Sequence, residues 1–249
     1  MSFDLFFCLA AVGAFLVGMS KGGLPTVGML AVPIMSLVTS PVVAAVLLLP
    51  IYVISDMVGI WLYRRDHSKA NLRLLLPAGI TGVLLGWATA SLVSERVITF
   101  LIGFMGFAFC LNTWLRQTGT TLPTPVHRGK AWFWGGVAGF TSFISHAGGP
   151  PFQIYMLPQK LTKAQFAGTS TLFFAAVNAA KIVPYQHLRP YTSDGLWTAA
   201  LLVPFALVGT LLGAYLTRRM ADKWFYRLVQ AGLFAVSLKL MADGAGGFH

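Results

Sequence analysis

Long apolar runs alternate along the chain with short polar joints. A membrane-spanning helix needs about 20 consecutive apolar residues, and most of the runs reach that length. Two of them, 24–38 and 150–158, are too short to span comfortably, and each follows a pair of glycines. The pattern predicts an all-α polytopic membrane protein with helical segments at 3–19, 24–38, 41–63, 74–93, 97–115, 131–147, 150–158, 164–182, 195–217 and 224–241.

Composition supports the membrane assignment. The 249 residues are 56% hydrophobic and only 10% charged, whereas soluble domains carry about 25% charged residues. The net charge of +11 would favour a nucleic-acid partner in a soluble protein. Here we expect none, because basic residues flank membrane helices on the cytoplasmic side. Cys8 and Cys110 lie inside apolar runs, which favours buried packing over a disulfide.

An internal repeat divides the chain into two halves. Three glycines and a proline of the first half recur 126 residues later in the second. The first set is Gly13, Gly22, Gly23 and Pro25, and the second is Gly139, Gly148, Gly149 and Pro151. The stretch TGVLLGWATASLVSER aligns with VGTLLGAYLTRRMADK at a shift of 127. We therefore predict a first repeat at 1–120 with a glycine tip at 20–25, and a second at 121–249 with a tip at 146–151. The polar stretch 116–130 joins them.

The distribution of basic residues favours an inverted relation between the repeats. If each glycine pair is the tip of a hairpin that returns to its own side, each half has three crossings and the halves are inverted. Twelve Lys and Arg residues then lie inside and three outside, as the positive-inside rule requires. If each broken helix crosses fully, the split is only nine to six. The hairpin arrangement places both termini outside.

Inverted repeats with broken helices are typical of transporters. Non-helical backbone is tolerated at membrane depth only where protein or a watery cavity surrounds it. Glycine pairs allow the chain to reverse, and Pro25 and Pro150 suit a first helical turn. Free N–H groups at such helix starts favour an anion. We therefore predict a midplane anion site at two facing tips, involving Gly22, Gly23, Gly148 and Gly149.

Charged and polar side chains near the tips are candidates for that site. Lys21 is at the first tip, and a charge at membrane depth is a functional hypothesis by default. It can instead reach a surface or form a structural ion pair with Asp56. His146 is at the second tip, where it can bind the anion, couple transport to protons, or serve only as a satisfied polar group.

A second group of candidates lies further from the glycines. Lys181 follows Asn178 by three residues, on about the same helix face, so the two can offer a cation and an amide. Lys181 can also be an interfacial residue at a helix end, and Asn178 can bond a neighbouring helix. Ser20 and Thr169 are possible hydroxyl donors or packing residues.

The chain resembles the sulfite exporter TauE/SafE family of membrane transporters. The likeness covers almost the whole chain and rests on GMSKGGLPTVGMLAVPIM, GFTSFISHAGGPPFQIYMLPQKL and GTSTLFFAAVNAAK. The first break departs from the glycine-richer form of many members by its lysine. The resemblance implies export of sulfite, sulfonates or related sulfur-containing anions across a bacterial inner membrane. The inverted repeats predict that transport proceeds by alternating access.

Other functions are weighed against this one. A cation transporter linked to protons or sodium, or an anion channel, would use Asp56, the one acidic residue deep in a predicted helix. An enzyme is not expected, since HExxH, GxSxG and any close His/Cys/Asp grouping are missing from the sequence; nor is a cofactor or metal. A structural scaffold would not explain Lys21. Small-residue helix faces allow a homodimer.

Overall fold

The computed structural model describes residues 3–25, 27–35, 37–39, 41–90, 92, 94–115, 122–188 and 190–246. These residues form helices and no strand, so the predicted all-α class is confirmed. Single 3-10 turns precede α2 and follow α7, at Val27–Leu30 and Leu157–Gln159. The helices are α1 Phe3–Lys21, α2 Ala31–Met35, α3 Pro41–Tyr63, α4 Lys69–Thr89, α5 Glu95–Leu115, α6 Arg128–Ser145, α7 Gly149–Met156, α8 Lys163–Leu188, α9 Ser193–Arg219 and α10 Asp222–Gly244.

Among the described residues, five helices are long and apolar enough to cross a membrane: α3 from Val43, α4, α8, α9 and α10. Shorter apolar stretches lie in α1 at Leu5–Lys21 and in α5 at Thr99–Asn112. This confirms the prediction of a polytopic membrane protein.

Two of the long helices differ by more than three residues from their predicted bounds. The segment predicted at 164–182 continues as α8 to Leu188, through Pro184. The segment predicted at 74–93 begins earlier and ends earlier, as Lys69–Thr89. The apolar run marks the stretch that lipid can surround, whereas the backbone hydrogen bonds of a helix extend into its polar flanks.

The helices form two compact units. Unit 1 comprises residues 1–68 and 163–221, with α1, α2, α3, α8 and α9. Unit 2 comprises residues 69–162 and 222–249, with the other five helices named above. Each unit thus takes helices from both halves of the sequence. The division into repeats at 1–120 and 121–249 stays a prediction, and its boundary lies outside the described residues.

Glycines let two helix pairs touch backbone to backbone. In unit 1, a Cβ on Gly18 of α1 would lie 1.9 Å from the carbonyl oxygen of Ala206 in α9. In unit 2, a Cβ on Gly139 of α6 would lie 2.0 Å from the carbonyl oxygen of Gly79 in α4. The same kind of close backbone contact therefore occurs within each unit.

The first glycine break turns the chain back along α1. Gly28 lies against Ser20, near the end of α1, while Ala31 and Met35 lie against Gly13, two turns earlier. The returning segment therefore runs antiparallel to α1. It forms a hairpin, as the glycine pair predicts.

The second break does the same in unit 2. The N–H of Thr124, just before α6, donates to the carbonyl of Pro158, just after α7, at 3.0 Å, and α7 packs against α6. The two arms of this segment therefore start and finish side by side. The inverted relation between the repeats stays a prediction.

Candidate functional site

The first tip closes the end of α1 with its own backbone. The N–H of Gly22 donates to Gly18 at 3.0 Å, that of Gly23 to Ser20 at 3.3 Å, and that of Leu24 to Met19 at 3.2 Å. Gly23 has φ +114°, a conformation that only glycine adopts without strain. The N–H groups of Gly22 and Gly23 are therefore engaged in ending the helix, and their role as anion ligands stays a prediction.

Side chains from neighbouring helices donate hydrogen bonds to the backbone carbonyls of this tip. The hydroxyl of Thr171 in α8 donates to the carbonyl of Lys21 at 3.2 Å, and the hydroxyl of Tyr63 in α3 donates to that of Gly22. A Cβ on Gly23 would lie 2.5 Å from the Tyr63 hydroxyl. The tip is therefore held against the last residue of α3 and the middle of α8.

The ammonium of Lys21 points back into unit 1, in the direction that side chains lean on a helix. It lies 2.8 Å from Oδ1 of Asp56 in α3. The other carboxylate oxygen, Oδ2, accepts a hydrogen bond from the amide nitrogen of Asn178 at 2.8 Å. All three residues are buried. The alternatives of an ion pair for Lys21 and an interhelix bond for Asn178 are thus the ones observed.

Lys181 completes this group. It lies one turn beyond Asn178, is fully buried, and interacts electrostatically with both Lys21 and Asp56. Because α8 continues to Leu188, Lys181 is not at a helix end, and the interfacial alternative is wrong. We call Lys21, Asp56, Asn178 and Lys181 the buried charge cluster.

Aromatic rings border the cluster. The ammonium of Lys21 lies 5.0 Å from the ring centre of Tyr52 and 5.9 Å from that of Phe174, distances at which a ring face attracts a cation. The sequence analysis missed both residues. A signal existed for Tyr52, which precedes Asp56 by one helical turn.

Ser20 and Thr169 do not join the cluster. The hydroxyl of Ser20 donates to the carbonyl of Val17 within α1 at 2.7 Å. The hydroxyl of Thr169 accepts from the N–H of Ser68 at 2.9 Å. It lies nine residues, or about 13 Å of helix, before Asn178. Both hydroxyls bond to nearby backbone, and their role in binding stays a prediction.

The second tip belongs to unit 2. His146 has φ 53° and ends α6, its N–H donating to Ser142 at 3.2 Å. Gly148 caps α7 and Gly149 begins it, both buried. A role for these residues in binding, proton coupling by His146 or Asp56, and the apposition of the two tips stay predictions.

Groups of three or more His, Cys, Asp or Glu that could hold a metal do not occur among the described residues. The polar groups of the buried charge cluster are ammonium, carboxylate and amide, a set that can bind a small charged molecule.

Comparison with known families identifies the chain. The family model described as Sulfite exporter TauE/SafE matches residues 9–240. The chain belongs to the sulfite exporter TauE/SafE family. No curated protein and no solved structure matches it. Membership in the TauE/SafE family confirms the resemblance seen in the sequence and makes the chain a membrane transporter, in a family named for the export of sulfite.

Proposed function

We propose that the protein exports small sulfur-containing anions, sulfite or sulfonates, across the bacterial inner membrane. Two observations support this proposal: the TauE/SafE family match over residues 9–240 and the buried charge cluster of unit 1. The family names the cargo class, and the cluster supplies the residues to bind it.

The observation that carries the proposal is the set of side chains in the cluster. It holds two lysines and one carboxylate, and Lys21 and Lys181 are 4% and 0% exposed. Taking an ammonium out of water costs several kcal/mol, so lysine is rarely buried without a function. Lysine and amide N–H groups both donate hydrogen bonds, and the oxygens of an oxyanion accept them. The cluster therefore favours an anion as the ligand.

The cluster is less suited to a cation. One oxygen of Asp56 faces Lys21 and the other accepts from Asn178, so a metal ion or sodium would have to displace the lysine from its carboxylate. This geometry favours the anion over a cation transporter centred on Asp56.

We place the cargo beside Lys181 and Asn178, with the ammonium and the amide N–H donating to sulfur-bound oxygens. Alternating access then exposes this position to one side of the membrane at a time. Because Lys21 is already paired with Asp56, its main part is to set the charge and position of the cluster. The hairpin of α1 and α2, which carries Lys21, is the element whose movement would change the exposure of the cluster.

The test is transport by the purified full-length protein in liposomes. Radiolabelled sulfite is followed into vesicles preloaded with unlabelled sulfite, taurine or chloride. A carrier gives uptake that is accelerated by preloaded cargo. Lys181→Met is expected to reduce the rate at least tenfold, since it removes the second lysine while keeping the shape of the side chain.

Lys239→Met is the matched control. This lysine also pairs with an aspartate at 2.8 Å, but on the surface, and its loss should leave transport within twofold of the original rate. Uptake without acceleration by preloaded cargo would indicate a channel. Full activity of Lys181→Met, or sodium uptake abolished by Asp56→Asn, would overturn the anion proposal.

A further inference from the structure

Unit 1 contains a cavity of about 240 Å³ at one end of its long helices. Three parts of the chain form its walls: the start of α1, the first ten residues of α3, and the loop before α9 with the first turns of that helix. An apolar cavity of about 150 Å³ is already large enough to hold benzene. The walls from α1 and α3 are apolar, so this cavity has room for part of a hydrocarbon chain. Its residues from these two helices are Phe6, Val43, Val46, Leu47 and Pro50.

The cavity lies where two membrane-spanning helices of unit 1 begin. The candidate spans start at Val43 in α3 and at Ser193 in α9, and the starts of both helices contribute to the walls. Trp197, in the first turns of α9, is 72% exposed, and tryptophan is enriched at the level of the lipid headgroups. A molecule that enters the cavity can therefore come from the bilayer.

One charged side chain borders the cavity. Asp194 is the only charged residue among the described residues of the lining, and it is exposed. Its carboxylate does not cap α9, because the hydroxyl of Thr192 accepts the hydrogen bond from the N–H of Gly195 at 3.1 Å. The hydroxyl of Thr198 bonds to backbone, donating to the carbonyl of Asp194 at 2.8 Å. The lining thus joins an apolar interior to a carboxylate at the rim.

We propose that this cavity binds an aminophospholipid, of which phosphatidylethanolamine is the example. Part of an acyl chain occupies the space beside α1 and α3, and the ammonium of the headgroup donates hydrogen bonds to the carboxylate of Asp194. Charge complementarity selects the headgroup, because an anionic headgroup such as that of phosphatidylglycerol meets a like charge at the rim. The headgroup of phosphatidylcholine is also positive at its nitrogen, but it has no N–H to donate.

The lipid site goes beyond the proposed function and does not depend on the nature of the cargo. It does involve the helix that carries the carboxylate of the buried charge cluster, since Pro50 precedes Asp56 by six residues, or about 9 Å along α3. A lipid in the cavity contacts both α3 and the start of α9, so its binding stabilises the packing of these two helices.

The test measures the unfolding temperature of the delipidated full-length protein in detergent, since a ligand of the folded state raises it by mass action. Phosphatidylethanolamine, phosphatidylcholine and phosphatidylglycerol with identical acyl chains are titrated separately. Phosphatidylethanolamine should bind about threefold to fivefold more tightly than phosphatidylcholine, a modest ratio because an exposed ion pair is weak. Phosphatidylglycerol should bind more weakly than either.

Asp194→Asn and Val46→Phe test the headgroup and the chain separately. Asp194→Asn should equalise the affinities for phosphatidylethanolamine and phosphatidylcholine, because it removes the charge and keeps the shape of the side chain. Val46→Phe places a larger side chain in the cavity, so it should weaken the binding of all three lipids at least tenfold.

Each variant has a matched control in unit 1 outside the lining of the cavity. Asp66→Asn removes an exposed carboxylate from the loop before α4, and Val208→Phe enlarges a valine of α9 that is 59% exposed. Both controls should bind the three lipids in the same order and with the same affinities as the original protein.

Three results would overturn the lipid site. Equal affinities of the original protein for phosphatidylethanolamine and phosphatidylcholine, or an unchanged preference in Asp194→Asn, would remove the role of the carboxylate. Undiminished binding by Val46→Phe would show that the lipid lies elsewhere. Stabilisation by hexylamine as strong as that by phosphatidylethanolamine would identify a free amine as the ligand. None of these results bears on the proposed function, which is tested by sulfite transport.

Discussion

The charge of Lys21 is accommodated in unit 1 because Asp56 faces it at 2.8 Å and Asn178 occupies the second carboxylate oxygen. Breaking a buried pair by removing one partner costs about 3–5 kcal/mol, because the remaining charge stays uncompensated. An exposed pair is worth about 0–1 kcal/mol. Lys21 therefore contributes to stability as well as to the charge of the cluster, so its loss tests two properties at once.

A charge-balanced double variant separates these two properties. Lys21→Met should destabilise the protein strongly, and Lys21→Met combined with Asp56→Asn should recover most of the loss, since no carboxylate then stays unpaired. Thermal unfolding in detergent, beside Lys239→Met as the exposed control, measures all three. A double variant no more stable than Lys21→Met would show that the ion pair is not the main reason for the loss.

The sequence predicted the residues of the buried charge cluster better than the hydroxyl groups that bond to the neighbouring tip. Lysines in apolar runs are conspicuous, and the spacing of Asn178 and Lys181 placed them on one helix face. The bonds made by Thr171 and Tyr63 were not predictable, because hydroxyls are common in membrane helices and their partners come from distant parts of the chain.

At the scale of the element, close backbone packing explains much of the glycine content. Gly18 in unit 1 and Gly139 in unit 2 each place a helix within contact of a neighbouring carbonyl. Small residues allow this approach in membrane proteins, where lipid gives helices no hydrophobic reason to associate. Not every glycine in these helices has that role, which gives a matched comparison.

Gly139→Ala and Gly136→Ala, three residues apart in α6, should behave differently. A Cβ at Gly139 would lie 2.0 Å from a backbone carbonyl, so the helices must separate, at a cost of about 1–3 kcal/mol. A Cβ at Gly136 meets only ordinary contact at 3.7 Å, and alanine there should be neutral or stabilising by up to about 1 kcal/mol. The unfolding temperatures of the two variants measure this difference in stability. Equal decreases in unfolding temperature would contradict the packing of α6 against α4.

The bounds of a helix were predictable where the helix coincides with an apolar run that lipid can surround. The prediction of 41–63 agrees with α3, Pro41–Tyr63, because apolar character and helix coincide there. In α8 the prediction stopped at 182, two residues before Pro184, although the helix continues six residues further. Hydropathy reports the environment of a helix, and the end of its hydrogen bonding is a separate property.

For the whole molecule, the basic residues predict that the loop before α4 faces the cytoplasm and that the loop before α9 faces outward. Single cysteines test this in a variant with Cys8→Ser and Cys110→Ser. With a membrane-impermeant maleimide on intact cells, Ser193→Cys should label and Asp66→Cys should label only after lysis; both positions are exposed. Labelling of Asp66→Cys in intact cells would reverse the orientation.

The grouping of helices could not be read from the sequence. Self-similarity divides the chain near its middle, whereas the compact units take α1, α2, α3, α8 and α9 together and leave the remaining helices to unit 2. A repeat shows which parts of the sequence are similar to one another. Which helices pack together depends on contacts such as that between Gly18 and Ala206, whose partners are distant in sequence.

The interleaved units impose an order on biosynthesis. Asp56 and Asn178 are 122 positions apart, so a ribosome that adds about 5–20 residues per second needs roughly 6 to 24 seconds to supply the amide after the carboxylate. During that interval α1 and α3 are already made, while α8 and α9, which complete unit 1, are not. The nascent chain therefore depends on the insertion machinery to shelter a charged, half-assembled intermediate, and slow translation between α3 and α8 would prolong its exposure to membrane proteases.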